Sequence, residues 1–184
     1  MRPINEIIIH CTATRPEWWA NKGIAAKVDE VRRWHVRDRG WRDIGYHYLI
    51  DRNGAVMGGR PLDQVGAHVQ GKNTGTIGIA LFGGHGSAET DDFADHFTEA
   101  QDKALRKLIA DLRKEYPAIR KVSGHNEYAA KACPGFQVQQ WYGLTQKPAT
   151  QPQPAPVAPT PAPAKPGPWA AIFTALARIF GRKA

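Results

Sequence analysis

The chain has 184 residues, 42% of them hydrophobic and 23% charged, with only two cysteines. This is globular composition, enough for one ordinary domain and an extension; it excludes a disulfide-stapled scaffold, and no apolar run approaches the roughly 20 residues of a membrane span. The formal charge of +8 belongs largely to the tail, because residues 1–145 hold 20 Lys/Arg against all 17 Asp/Glu while residues 146–184 hold five Lys/Arg and no acid, so no nucleic-acid partner is expected for the domain.

Along the chain, strand and helix signals alternate. The Ile run within 6–10 reads as a buried strand. Ile24, Val28, Val31 and His35 follow helical spacing up to Gly40. A strand at 46–50, a turn at Asp51-Arg52-Asn53-Gly54 and a partner at 55–57 form a hairpin. TIGIALF at 76–82 is a further strand. Thr98 and Gln101 make a capping box before a helix striped by Ala104, Leu105, Leu108, Ile109 and Leu112 and ended by Pro117. A short strand at 119–122 closes the series. The expected fold is α/β, a mixed central β-sheet flanked by helices over residues 1–145.

Composition then changes. Nine prolines fall within 148–168, and proline neither donates a ladder hydrogen bond nor continues a helix. Residues 146–168 are therefore expected to be a semi-rigid extended linker. In 169–184, Trp169, Ile172, Phe173, Leu176, Ile179 and Phe180 share one helical face, with Thr174, Arg178 and Arg182 opposite. This reads as a cationic amphipathic helix, too short and too charged to span a bilayer, suited to an anionic membrane or lipopolysaccharide surface. Docking on the domain and self-association are the alternatives for this helix. The first residues lack the apolar core of a signal peptide, so synthesis in a (host) cytoplasm is expected.

Three side chains stand out chemically. His10 ends the Ile strand, and His125 and Cys133 flank a loop closed by Pro134-Gly135. Two imidazoles and a thiolate suit Zn²⁺, and three protein ligands leave the fourth position open, as catalysis requires. The spacing by itself is not a standard metal motif, so packed structural residues remain an open reading on these residues alone.

The motifs taken together say more. Ile9-His10-Cys11-Thr12-Ala13-Thr14, Arg33-Trp34-His35, Gly40-Trp41-Arg42-Asp43-Ile44-Gly45-Tyr46-His47-Tyr48, Gly66-Ala67-His68, Asn73-Thr74-Gly75-Thr76-Ile77-Gly78 and the run from Gly124-His125 to Lys131-Ala132-Cys133-Pro134-Gly135 occur in order. In this the chain resembles the zinc-dependent N-acetylmuramoyl-L-alanine amidases, most closely the small phage lysozymes of amidase type, whose fold peptidoglycan-recognition proteins share. The resemblance covers roughly residues 4–142. It implies that His10, His125 and Cys133 bind zinc, that Tyr46 and Lys131 assist catalysis, and that the substrate is bacterial peptidoglycan, cut between N-acetylmuramic acid and L-alanine by zinc-activated water.

His68, in a Gly-rich loop, is assigned to the substrate groove. His47 alternates with Tyr46 and is expected to pack on the other side. His35 is expected in the core or behind the site, His85 and His96 at the surface, and Cys11 as a small buried hydrophobe on the strand face opposite His10. The leading reading is an endolysin acting at the cell wall, as a monomer, with its tail at a membrane. A cytoplasmic muropeptide-recycling amidase and a non-catalytic peptidoglycan-recognition module are the alternatives; the first has little use for a membrane-seeking tail, and the second has no need of an open zinc position.

Overall fold

A computed structural model describes residues 2–143, so the linker and helix expected at 146–184 lie outside the described residues. Five strands, β1 (Glu6–Cys11), β2 (Tyr48–Ile50), β3 (Val56–Gly58), β4 (Thr76–Leu81) and β5 (Lys121–Gly124), form one sheet in the order β3-β2-β4-β1-β5. β1 runs parallel to β4 and β5, β2 runs parallel to β4, and β2 and β3 form the antiparallel hairpin. The helices are α1 (Ile24–Arg33), α2 (Phe93–His96), α3 (Glu99–Glu115) and α4 (Val138–Gly143). The mixed sheet flanked by helices is the expected architecture.

β1 and β4 are covered on both faces, which is why they read as apolar runs and not as polar-apolar alternation. Side chains still alternate between the faces. Ile7, Ile9, Ile77, Ile79 and Leu81 meet Leu105, Ile109 and Leu112 of α3 on one side. Val28 and Val31 of α1 meet Leu49, Ala80 and Phe82 on the other. α3 starts as its capping box demands: Thr98 Oγ1 accepts from the Gln101 backbone and Gln101 Oε1 accepts from the Thr98 backbone, both at 3.1 Å. The Gln101 amide then donates to the carbonyls of Ile50 (3.2 Å) and Phe82 (2.9 Å), tying the first turn of α3 to the ends of β2 and β4. On the α1 side, Lys27 Nζ and the Asp51 carboxylate pair at 2.7 Å with both side chains about 5% exposed.

Several boundaries differ from expectation, each for a physical reason. β5 begins at Lys121, not at 119, because the Ile119 N–H is spent on a turn to Tyr116 O while Lys121 pairs with Glu6. The second strand starts at Tyr48, although Tyr46 and His47 are still held by backbone bonds to Arg60, Gly59 and Gly78. α1 passes into a π-helical turn, Trp34–Asp38, in which the Arg39 N–H reaches back to Trp34 O. The two short helices α2 and α4 were not foreseen; Phe93, Phe97, Phe136 and Trp141 pack into one aromatic cluster that holds them.

Candidate metal centre

Parallel neighbours end at the same edge of a sheet, and that is how distant residues converge here. His10 is the penultimate residue of β1, and His125 follows β5 directly in a single 3₁₀ turn. The loop that continues from His125 folds back so closely that a Cβ at Gly124 would lie 2.3 Å from Asn126 Oδ1 and 3.0 Å from the Pro134 ring. Glycine at 124 thus permits the return that brings Cys133 to the end of β1. The Cys11 N–H donates to Cys133 Sγ at 3.3 Å, and Gly135 N–H closes the loop on Ala132 O at 2.6 Å.

The result is a compact donor set. The ligand atoms of His10, His125 and Cys133 all lie within 4.8 Å of one another, and His10 Nδ1 is 3.8 Å from Cys133 Sγ. Tetrahedral zinc with N and S ligands needs donor separations of roughly 3.3–3.5 Å, so small side-chain adjustments suffice. Burial, then the neighbouring His68, His125 and Lys131, hold the His10 pKa well below its ordinary value; burial, then Lys131, lower that of His125. Both rings are therefore neutral at pH 7 and have lone pairs to give. The Cys133 thiol is pushed up, first by its hydrogen bond with the Cys11 thiol and then by burial, so an incoming cation must displace its proton. These residues fit a metal ion of borderline softness.

A groove of about 850 Å³ opens over this cluster, bordered by Tyr46, His68, His125, Tyr128, Lys131 and Cys133 and extending to Arg39 and Trp41. A second hollow of about 310 Å³, beside Trp34 and Asp38, shares Thr12, His35, Arg39 and Tyr46 with it. Tyr46 is half-buried with its ring centroid 5.2 Å from that of His10. Burial, then the two sulfurs, raise its pKa, so the phenol keeps its proton. Lys131 is exposed at the rim.

Residues 1–136 match the N-acetylmuramoyl-L-alanine amidase family. The chain belongs to that family. The endolysin of Escherichia phage T7 is 40% identical over 136 residues, which cover 74% of this chain and 83% of that one. Among solved structures, the N-acetylmuramoyl-L-alanine amidase LysC from Clostridium intestinale superposes with a TM-score of 0.61 at 26% identity, covering 78% of this chain and 85% of LysC. The bumblebee peptidoglycan-recognition protein PGRP-SA gives 0.61 at 27% identity, covering 76% and 81%.

In this amidase the other histidines have assignable places. His47 is buried, its Nδ1 accepting from the Gly78 N–H at 3.0 Å and its ring 5.8 Å from that of His68; strand alternation does not separate it from Tyr46, because both residues precede β2. His35 is buried under Trp41 and Tyr46 and accepts from Gly45 N–H at 3.0 Å. His85 is exposed, whereas His96 is not: its Nε2 lies 2.7 Å from Asp91 Oδ2, and the α2 cluster half-covers it. Cys11 packs in the α3-side core as expected, though its thiol also reaches Cys133. His68 does border the groove, but the residue is only 7% exposed and its Nδ1 lies 3.1 Å from His10 Nε2. Arg39, Asn73, Thr76 and Tyr128 were not singled out from the sequence, although Asn73 and Thr76 lie in the 73–78 motif and Tyr128 in the 124–135 run; Arg39 lies in none of the motifs.

Proposed function

We propose that this chain hydrolyses the amide between the lactyl group of N-acetylmuramic acid and L-alanine in peptidoglycan, with zinc held by His10, His125 and Cys133. What carries the reading is three ligand atoms within 4.8 Å of one another, two of them from His125 and Cys133, which line an open groove of about 850 Å³, with the buried His10 beside them. Zinc there supplies a Lewis acid for the scissile carbonyl and a water of lowered pKa. Held by His10, His125 and Cys133 alone, a zinc ion would have one coordination position left for water or substrate, and the Cys133 thiolate would cancel one of its two charges.

The remaining work falls to side chains already placed. Attack on an amide puts negative charge on the carbonyl oxygen, and donors fixed before the reaction stabilise it most effectively. Tyr46, which retains its proton and is backed by His10 and His35, is suited to donate to that oxygen. The Lys131 ammonium at the rim adds positive charge and can hand a proton to the departing L-alanine nitrogen.

The likeness to phage endolysins supports a lytic role at the cell wall. The cationic amphipathic pattern of 169–184 supports retention at an anionic membrane or lipopolysaccharide surface. Deleting 146–184 is expected to abolish binding to anionic liposomes while sparing cleavage of soluble muropeptides; unchanged liposome binding rejects the targeting role.

Appearance of new L-alanine N-termini from purified peptidoglycan, with zinc content measured on the same sample and on Cys133→Ser, tests the central reading. The expected result is about one zinc per chain and cleavage, both lost in the variant, with activity down about 10³-fold or more. Zinc without cleavage favours a recognition module, and cleavage without zinc overturns the metal assignment.

A further inference from the structure

The side chain of His68 is seated more firmly than a substrate contact requires. Its ring lies over β4, where a Cβ at Gly78 would come within 2.5 Å of it, and against Gly66, where a Cβ would come within 2.6 Å. The backbone N–H groups of His68 and Val69 both donate to Asn73 Oδ1, at 2.8 and 2.9 Å. Thr76, Gly78 and Ala80 point to one face of β4, and Ala80 pairs with His10. The ring therefore bridges the start of β4 to the metal ligand.

Both its nitrogens are engaged, and the proton on each bond can be assigned. Thr76 Oγ1 lies 3.0 Å from the carbonyls of both Lys72 and Asn73, which can only accept. The single hydroxyl proton of Thr76 points there, leaving an oxygen lone pair toward His68 Nε2 at 3.3 Å. His68 Nε2 must then carry the N–H. A neutral imidazole has one N–H, so His68 Nδ1 accepts, and the proton in its 3.1 Å bond with His10 Nε2 belongs to His10. That leaves the His10 Nδ1 lone pair bare on the side of Cys133. The reverse ordering would place a proton on His10 Nδ1, where a metal must bind.

We propose that Thr76 and His68 form a proton-ordering relay that sets His10 in its Nε2–H tautomer before any metal arrives, making His68 a positioning residue for the metal. This rests on the metal site proposed above. Partners of this kind behind a metal-bound histidine typically change affinity by about 10–100-fold when removed.

Long-range ¹H–¹⁵N correlation spectra of the full chain, metal-free after chelation and again with added zinc, report the His10 tautomer directly. The wild type is expected to show Nε2–H in both states. Thr76→Val, close in shape but without the hydroxyl, is expected to show mixed tautomers when metal-free and zinc affinity about 10–100-fold weaker against a competing chelator dye. Thr76→Ser is expected to restore both. A metal-free wild type with the proton on His10 Nδ1 overturns the relay whether or not Thr76→Val folds, as does a folded Thr76→Val with tautomer and affinity unchanged. If the wild type takes up no zinc, the metal reading fails, while the metal-free spectrum still decides the relay.

Discussion

The two faces of the sheet are built by different rules. The α3 side is largely dry: isoleucines of β1 and β4 interlock with Leu105, Ile109 and Leu112, and the buried Gln101 amide at its edge is satisfied by two backbone carbonyls. On the α1 side the same strands present His10, Gly78 and Ala80, and over them sit His35, His47, His68 and the Lys27–Asp51 pair, all buried. Apolar packing tolerates any arrangement of about the right volume, whereas buried polar groups are costly unless each finds its partner. The chain therefore carries stability on one face and specificity on the other. The sharpest division is within β1, where Ile9 faces the core and the next residue, His10, is buried against Tyr46, His68 and His125.

Breaking the ion pair should do the most damage. Lys27→Met leaves Asp51 buried with its charge and little beyond the Arg52 N–H to answer it. A loss of about 3–5 kcal/mol is expected from urea unfolding, most of it recovered when Asp51→Leu is added. A loss below about 1 kcal/mol would show that water reaches the pair and that the two faces are less different than they look. On the dry face, Leu105→Ala should cost about 2–5 kcal/mol through the cavity it leaves, with kcat unchanged at temperatures where the variant is folded. A fall in kcat there would mean that the faces are mechanically coupled. Tyr46→Phe should do the converse, lowering kcat about 10²-fold with the unfolding midpoint little changed.

The same division explains what could be read in advance. The dry face was legible because its signals are local: the Ile run, the stripe from Ala104 to Leu112 and the Thr98–Gln101 box each lie within one element. On the other face, His10 could be picked out as a strand-end residue, but its partners His125 and Cys133 are more than 100 positions away and became assignable through the ordered motifs and the resemblance they carry. The part played by His68 stayed hidden, since it depends on the register that sets Thr76 and Gly78 beneath its ring. α4 was missed because six residues are too few to show a period, and tertiary contacts stabilise them: Trp141 packs on Phe93 and Phe136 and donates to Asp102, and Val138 enters the core. The π-turn after α1 likewise answers to the packing of His35 under Gly45 and not to any local propensity.

Acid offers the finest probe of the polar face. Burial, then the charges of Arg39 and Arg60, against a smaller opposing pull from Asp43, lower the His35 pKa to about 4; burial in the main lowers that of His47 to about 4 as well. Their unfolded-state value is near 6.5, so between about pH 6.5 and 4 the unfolded chain binds more protons than the folded one. Stability from these two rings is therefore complete above about pH 6.5 and is lost progressively as the pH falls toward 4. From pH 7 to pH 5 each ring should cost the fold on the order of 2 kcal/mol. His35→Asn keeps an acceptor for the Gly45 N–H but cannot titrate. Comparing urea midpoints of wild type and His35→Asn at both pH values isolates one ring, because every other titrating group is common to the two proteins. The variant should lose less stability on acidification by that amount. Equal losses would mean that His35 takes up its proton without leaving its place, and that the polar face is held by packing much as the dry face is.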